Sequence, residues 1–435
     1  MQKEHIIIIG AGLAGLTASY FLKKKGVSSL ILEKEDYLGG LCRSFSINDE
    51  WFDIGGHVSF AKDKRVRMLL ENNVVYNERL ADALNYKDGN WIVHPVQNNL
   101  YVLNTDEKIK IIEDYISRPK IDNPSNYKDW LITKYGNYFT DNYPAKYTRK
   151  YWTVDPEMLE PKWVKNRMYE TSLHEMLYGA FEKKTKNVHY SNGIRYPLTG
   201  GFESFIKSLE LSSNVNCKMT ISSIDLKNKI IKTADGKNYS YDVLINTAPL
   251  PEIIKLINGV PDKLKECCQK LYHTSLVLVS ICVRGSLKLN YPAFYIYDED
   301  ILPSRVFSTS QYSMVNTGYS ALQAEVYFSK FKPLETDIET IKNKTISHLL
   351  SFNLFEEKFI ESVDVKYVPY ANIIFTQEIY ENRRTIIDYL RENGVYSAGR
   401  FGLWDYLWSD QTVISSMDAV DQILKNIKEE KSDYV

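Results

Sequence analysis

The chain has 435 residues, enough for two or three domains that each bury an apolar core, so it needs no disulfide or metal to hold it together. A formal net charge of -1 gives no global attraction to nucleic acid or an anionic membrane, so any anion it binds must be met by a local arrangement of cations. The five cysteines, Cys42, Cys217, Cys267, Cys268 and Cys282, are odd in number and, apart from one adjacent pair, scattered; they match neither a disulfide framework nor a zinc site and point to a reducing cytoplasm.

The apolar run over 5–22 has an acidic Glu4 before it and three spaced glycines within it, which argues against a secretory signal. No other run reaches the roughly 18 apolar residues a membrane span requires, so none is expected. Residues 6–9 read as a strand buried on both faces, 13–25 as a helix and 28–33 as a second strand. From 64 to 188 the pattern is helical and rich in tyrosine and tryptophan, as at 108–116, 127–135 and 172–181. Strand signals return at 230–233, 243–246, 276–284, 293–297, 322–327 and 363–367, most of them suited to an antiparallel sheet. Residues 395–399 and a helix over 412–428 close the chain, with a frayed tail over 429–435. The expected architecture is α/β: a Rossmann-like FAD-binding domain assembled from 1–63, 189–262 and 391–435, a helical insert over 64–188 that meets substrate, and a mostly antiparallel sheet domain over 263–390.

Gly10-Ala11-Gly12-Leu13-Ala14-Gly15 follows the first strand and opens the first helix, the context that gives a GxGxxG its meaning. Gly10 permits the turn, Gly12 lets backbone approach a pyrophosphate, and Gly15 lets helix and strand pack closely, while the helix N-terminus offers free N–H groups to phosphate. Glu33 lies 33 - 15 = 18 residues beyond Gly15, at the end of the second strand, where a carboxylate can accept bonds from ribose hydroxyls. The next glycine pair, in Gly39-Gly40-Leu41-Cys42-Arg43-Ser44, resembles the extended motif of the amine oxidase, phytoene desaturase and sugar mutase flavoproteins. Thr247-Ala248-Pro249 and Ser397-Ala398-Gly399-Arg400 resemble two further FAD-contacting segments of that group. The resemblance implies FAD, with Gly40, Arg43 and Arg400 among its contacts. Cys42 reads as a small buried residue.

Asp53-Ile54-Gly55-Gly56-His57-Val58 is similar to the Asp-x-Gly-Gly-His segment of the UDP-galactopyranose mutases, which places Gly56 and His57 at the flavin. The run YTRKYWTVDPEML over 147–159 looks like the family's segment whose tryptophan corresponds to Trp152, although Thr148 stands where its eukaryotic members have an amide. Residues 194–201, with Arg195, resemble the FRFPxxGG segment, and 304–308, with Arg305, the segment of a second arginine; the two arginines are implied to clamp a diphosphate, which guanidinium forks suit. Residues 399–406 resemble the closing signature, which implies that Tyr406 bonds the substrate phosphate, with Asp405 departing from the family's usual arginine. Tyr297 and Tyr370 are the other tyrosines implied to face phosphate.

Family chemistry implies a nucleotide-diphosphate sugar whose pyranose and furanose rings are interconverted, with reduced FAD as the nucleophile and NAD(P)H as external reductant; Arg195, Arg305, His57 and Tyr406 are the residues expected to serve the reaction and Trp152, Tyr297 and Tyr370 those expected to bind substrate. No serine, cysteine or paired-carboxylate constellation stands in the sequence to offer a protein nucleophile. No metal ligand set is expected, and a homo-oligomer is left open. An oxidase of the amine oxidase or protoporphyrinogen oxidase type would share the FAD segments but take hydride from its substrate.

Overall fold

The computed structural model describes residues 2–164, 167–183 and 193–432. Ile6, Ile7, Ile8 and Ile9 are all buried in the strand Gln2–Ile9, which sits inside a seven-stranded sheet because both of its faces are apolar. Asn238–Asn246 and Leu30–Leu32 flank it in parallel, with Val215–Asn216 beyond the latter. Val395–Ser397 runs parallel alongside Asn238–Asn246, while Ile221–Asp225 and Ile230–Thr233 add an antiparallel edge. The helix Leu13–Lys24 packs against Ser409–Ser432, so that the first and last helices cover one face together. Sequence remote by nearly the whole chain thus closes one layer.

The second sheet runs in the order Ile360–Val368, Tyr272–Arg284, Tyr319–Ser329, Arg305–Phe307, Ala293–Ile296, Leu84–Lys87, Asn90–Val93. Its pairs are antiparallel except Ala293–Ile296 with Leu84–Lys87. Two of its strands come from the stretch expected to be helical. Leu84–Lys87 and Asn90–Val93 pair about Asp88 and Gly89, both at positive φ (47° and 80°), which is the Asp-Gly hairpin signal. Tyr76–Arg79 pairs with Ile194–Pro197, so the insert is strand over 76–93 and helical after it. Its helices include Thr105–Ser117, Tyr127–Tyr135, Pro144–Tyr151 and Leu173–Phe181, close to the expected spans.

The last helix reaches Ser432, so 429–432 continue it rather than fraying, and 433–435 lie outside the described residues. So do 184–192, where the helical insert was expected to end and the next segment to begin. Among the described residues no helix is long and apolar enough to cross a membrane.

Candidate active-site cavity

A cavity of about 1420 Å³ runs from the first strand-to-helix turn, past the second sheet, to the aromatic helices of the insert. At its first end the backbone does the shaping. Gly10 has φ +95°, and a Cβ there would lie 2.8 Å from Thr247 Oγ1. A Cβ on Gly15 would lie 2.0 Å from the Gly10 carbonyl oxygen, so the helix can seat against the strand only with glycine there. Gly12 differs: its added Cβ would meet nothing closer than Gly40 Cα at 3.9 Å, and Gly40 itself sits at φ +56°. The space beside Gly12 belongs to the cavity. No side chain caps the helix at Gly12, so its first N–H groups are left for a ligand. The Glu33 carboxylate accepts from Ala11 N at 2.6 Å and Glu35 N at 2.9 Å, which fixes it at the cavity wall, and the Arg43 guanidinium lies 3.8 Å over the Tyr37 ring. Burial pushes the Cys42 thiol up to about 12, so it stays an inert thiol.

In the middle of the cavity, Gly55, Gly56 and His57 follow the strand Glu50–Asp53. The wholly buried Glu325 carboxylate ties this loop to the second sheet: it accepts from Gly56 N (3.1 Å), Arg305 Nε (2.7 Å) and Nη2 (2.6 Å), and Tyr327 Oη (2.8 Å). Arg305 reaches the cavity, but its charge is already matched. His57 Nδ1 donates to the Gly55 carbonyl at 2.9 Å, leaving Nε2 as an acceptor. Burial, with the Arg305 and Arg400 charges beside it, lowers its pKa to about 4, so the ring is neutral at neutral pH.

The far end is built from side chains. Arg167 lies 4.7 Å over the Tyr406 ring and 5.1 Å over Trp408, and Arg400 lies 4.8 Å from Tyr406 on its own account. Arg167 donates to the Trp163 and Tyr406 carbonyls, and Arg400 to the Asn372 amide oxygen at 2.7 Å. Trp152 packs edge-on to Tyr406 (5.4 Å) and Trp163 (4.8 Å); Tyr297 is edge-on to Tyr143 and Tyr147. Tyr370 donates its hydroxyl to Glu252, which leaves its ring rather than its hydroxyl for a ligand. Thr148 donates to the Pro144 carbonyl at 2.7 Å.

Of the residues singled out in the sequence, Gly10, Gly12, Glu33, Gly40, Arg43, Gly56, His57, Trp152, Tyr297, Arg305, Tyr370, Arg400 and Tyr406 line this one cavity. Gly15 lies behind it, as its packing role requires. Arg195 is the correction. Its strand faces Tyr76–Arg79, and its guanidinium is buried against Glu71 (2.8 Å), Glu78 (3.3 Å) and the Ala61 carbonyl, away from the cavity. Arg167, Glu325 and Asn372 are the residues sequence reasoning missed. An arginine within an aromatic-rich stretch was the only available sign of Arg167, and nothing in spacing marked Glu325, whose partner lies 20 residues before it on the neighbouring strand.

Residues 8–72 match the family model of the NAD(P)-binding Rossmann-like domain. Among solved structures, the crystal structure of reduced UDP-galactopyranose mutase superposes with a TM-score of 0.91 at 24% identity, covering 97% of this chain and 96% of that one. A provisionally named protoporphyrinogen oxidase from Exiguobacterium sp. 255-15 follows at TM-score 0.73 and 16% identity, covering 97% and 98%. The chain therefore has the UDP-galactopyranose mutase fold. Sequence likeness to curated proteins is confined to short stretches: 43% identity over 51 residues to a provisionally named flavin-containing monoamine oxidase A of Dictyostelium discoideum, 12% of this chain and 11% of that protein. The chain spans only about a tenth of that relative's length. It belongs to one family with an uncharacterized protein of Methanothermococcus thermolithotrophicus from the nifH2 3' region, 40% identical over 72 residues that make up 16% of this chain and 70% of that one.

Proposed function

We propose that this chain binds FAD and interconverts the pyranose and furanose forms of a nucleotide-diphosphate sugar, with the reduced cofactor as the working form and NAD(P)H as its external reductant. The observation that carries this reading is charge. Arg43, Arg167 and Arg400 line one cavity, and among the described residues none of the three has a carboxylate within ion-pair distance. All three are half-buried and face the cavity, and a guanidinium fork without a counter-charge there suits an anion from outside the protein. Two diphosphates at opposite ends of the cavity, one from a dinucleotide and one from a nucleotide-sugar, fit this arrangement.

The cradle fits FAD: the open space beside Gly12, the close approach of Gly40 and the uncapped helix suit a pyrophosphate, and Glu33 suits a ribose. Gly10, Gly12, Gly40, Glu33 and Arg43 would hold the dinucleotide portion, with Gly56 and Arg400 at the ring system. Reduced flavin, once bound, would supply the nucleophilic electron pair.

The protein's own part is to bind the leaving group and keep water away. Arg167 supplies fixed positive charge where the departing diphosphate gathers negative charge, and the Tyr406 ring, 4.7 Å from Arg167 and 4.8 Å from Arg400, joins that end of the cavity to the ring system. Arg305 spends Nε and Nη2 on Glu325 and has Nη1 left to donate. His57 is neutral, with Nε2 able to accept a sugar hydroxyl proton in a hydrogen bond. The walls of Tyr147, Tyr151 and Trp152 are apolar and exclude water from the reacting sugar.

An oxidase acting on an amine or an apolar ring has no use for the unneutralised Arg167 at the substrate end, and the curated relative with a monoamine oxidase name matches over only 51 residues. The deciding experiment incubates reduced holoprotein with a panel of nucleotide-sugars and follows furanose isomers by chromatography. Isomer formation over many turnovers without stoichiometric reductant is expected; bleaching of the oxidised protein by its substrate under anaerobic conditions, with recovery in air, would falsify the mutase reading.

A further inference from the structure

The buried ion cluster around Arg195 is absorbed neither by the cradle nor by the anion end of the cavity, yet it touches the loop that joins them. Arg195 and Ser59 exchange backbone bonds in both directions, Ser59 N to Arg195 O at 2.9 Å and Arg195 N to Ser59 O at 3.1 Å. The Arg195 side chain then reaches round to the Ala61 carbonyl. Glu71 completes the clamp: its Oε1 accepts from both Arg195 Nε (2.8 Å) and Ser59 Oγ (2.6 Å), and its Oε2 from Arg67 Nε (2.9 Å). Arg195 and Glu71 are 6% and 5% exposed, so this pair is sheltered from the screening that makes surface ion pairs weak.

The clamped residues stand beside cavity wall. Ser59 follows His57 by two positions, and Phe60, between Ser59 and Ala61, lines the cavity with its ring 5.5 Å from Trp408, which in turn faces Arg167. A side chain that fixes the backbone on both sides of Phe60 therefore fixes the floor on which Trp408 and Arg167 rest, as well as the exit of the loop carrying His57. We propose that Arg195 is a positioning residue: it never enters the cavity, and acts by holding 57–61 so that His57 and, through Phe60 and Trp408, Arg167 keep their places. The functional half of this statement rests on the reading of the cavity given above; the mechanical half does not. Lysine cannot replace arginine here, because three acceptors in different directions need a planar fork rather than one ammonium.

Arg195→Lys, which keeps the charge, and Ser59→Ala, which removes the hydroxyl's bond to Glu71 and the long one it accepts from Ala61 N (3.4 Å), form the test, so that one variant remains if the other folds poorly. Backbone hydrogen exchange of the full chain, read by mass spectrometry, should accelerate about tenfold or more over 55–61 in either variant while the 272–284 strand is unchanged. In the holoenzyme, turnover should drop by about tenfold or more with KM moving less than about threefold, the split expected of a misplaced wall rather than a lost ligand contact. Unchanged exchange over 55–61 in both variants overturns the clamp, and a rise in KM with turnover kept returns Arg195 to direct substrate contact. Uptake of FAD by the wild type is measured separately: its failure removes the reading of the cavity but leaves the exchange result to decide the clamp.

Discussion

The two ends of the cavity are made by different means. The dinucleotide end is shaped chiefly by backbone in 10–40, where glycines at 10, 12, 15 and 40 supply what side chains would obstruct and Glu33 and Arg43 add the side-chain contacts. The anion end is built from side chains on a loop after Trp163, on the turn after Val395–Ser397 and on the second sheet; Arg167 and Arg400 are held by aromatic faces and carbonyl oxygens, Arg305 by the Glu325 carboxylate. A site made of backbone tolerates no change in its glycines but is indifferent to most neighbours, whereas a site made of side chains can lose one member and keep its shape.

Substitutions at Gly15 and Gly12 probe the first kind most severely. Gly15→Ala places a methyl 2.0 Å from a backbone carbonyl, which no rotamer can relieve, so its cost should exceed the roughly 1–3 kcal/mol of ordinary overpacking; urea unfolding should show a large loss of stability along with loss of flavin. Gly12→Val faces only open cavity, so its midpoint should stay near that of the wild-type apoprotein while the purified variant is colourless. A Gly12 variant that retains FAD would remove the pyrophosphate from this position.

Arg305 and Arg167 probe the second kind, with effects that should part company. Removing Arg305 leaves Glu325 buried without its counter-charge, which costs about 3–5 kcal/mol of stability and obscures any effect on ligand binding. Removing Arg167 strands no carboxylate, so Arg167→Ala should fold normally and lose about 2–5 kcal/mol in affinity for a nucleoside diphosphate, read by calorimetry. Equal stability losses in the two variants would mean that Arg167 too has a hidden counter-charge.

The same contrast explains what the sequence made legible. The first strand, turn and helix could be read because their determinants are contiguous: a buried isoleucine run, three glycines and an acidic strand end within 33 residues. Trp152, Arg305 and Tyr406, each in a recognisable local run, do line the cavity. Arg195 was misplaced because its run gives its strand correctly but not the direction its side chain takes, which Glu71, 124 residues earlier, decides. The 76–93 strands were hidden in a tyrosine-rich stretch whose pairing partners lie at 194–197 and 293–296, although the Asp88-Gly89 turn was a readable sign of the hairpin.

The smallest predicted effect sets the buried Asp53 and the half-buried His57, beside the junction of the two ends, against each other. Asp53 is buried, and although Ser44 Oγ (2.6 Å), Tyr196 Oη (2.7 Å) and Phe202 N (2.9 Å) all donate to it, burial raises its pKa from 3.8 to about 6. His57 moves the other way, from 6.5 to about 4. Between pH 4 and 6, folded Asp53 holds a proton that the unfolded chain lacks, which makes stability fall as pH rises; folded His57 lacks a proton that the unfolded chain holds, which makes stability rise with pH. The two slopes oppose each other across nearly the same window, so their joint contribution in the wild type should be close to flat. Asp53→Asn should expose the His57 term, with stability climbing by up to about 1.4 kcal/mol per pH unit from pH 4 to 6, and His57→Gln should expose the Asp53 term with the opposite sign. Urea unfolding at pH 4.5 and 5.5 on the three proteins measures the difference between their slopes directly. Variants that tilt in the same direction would show that one of the two shifts has the wrong sign, and the three donors around Asp53 make it the one to re-examine first, since hydrogen bonds to a carboxylate favour its charged form.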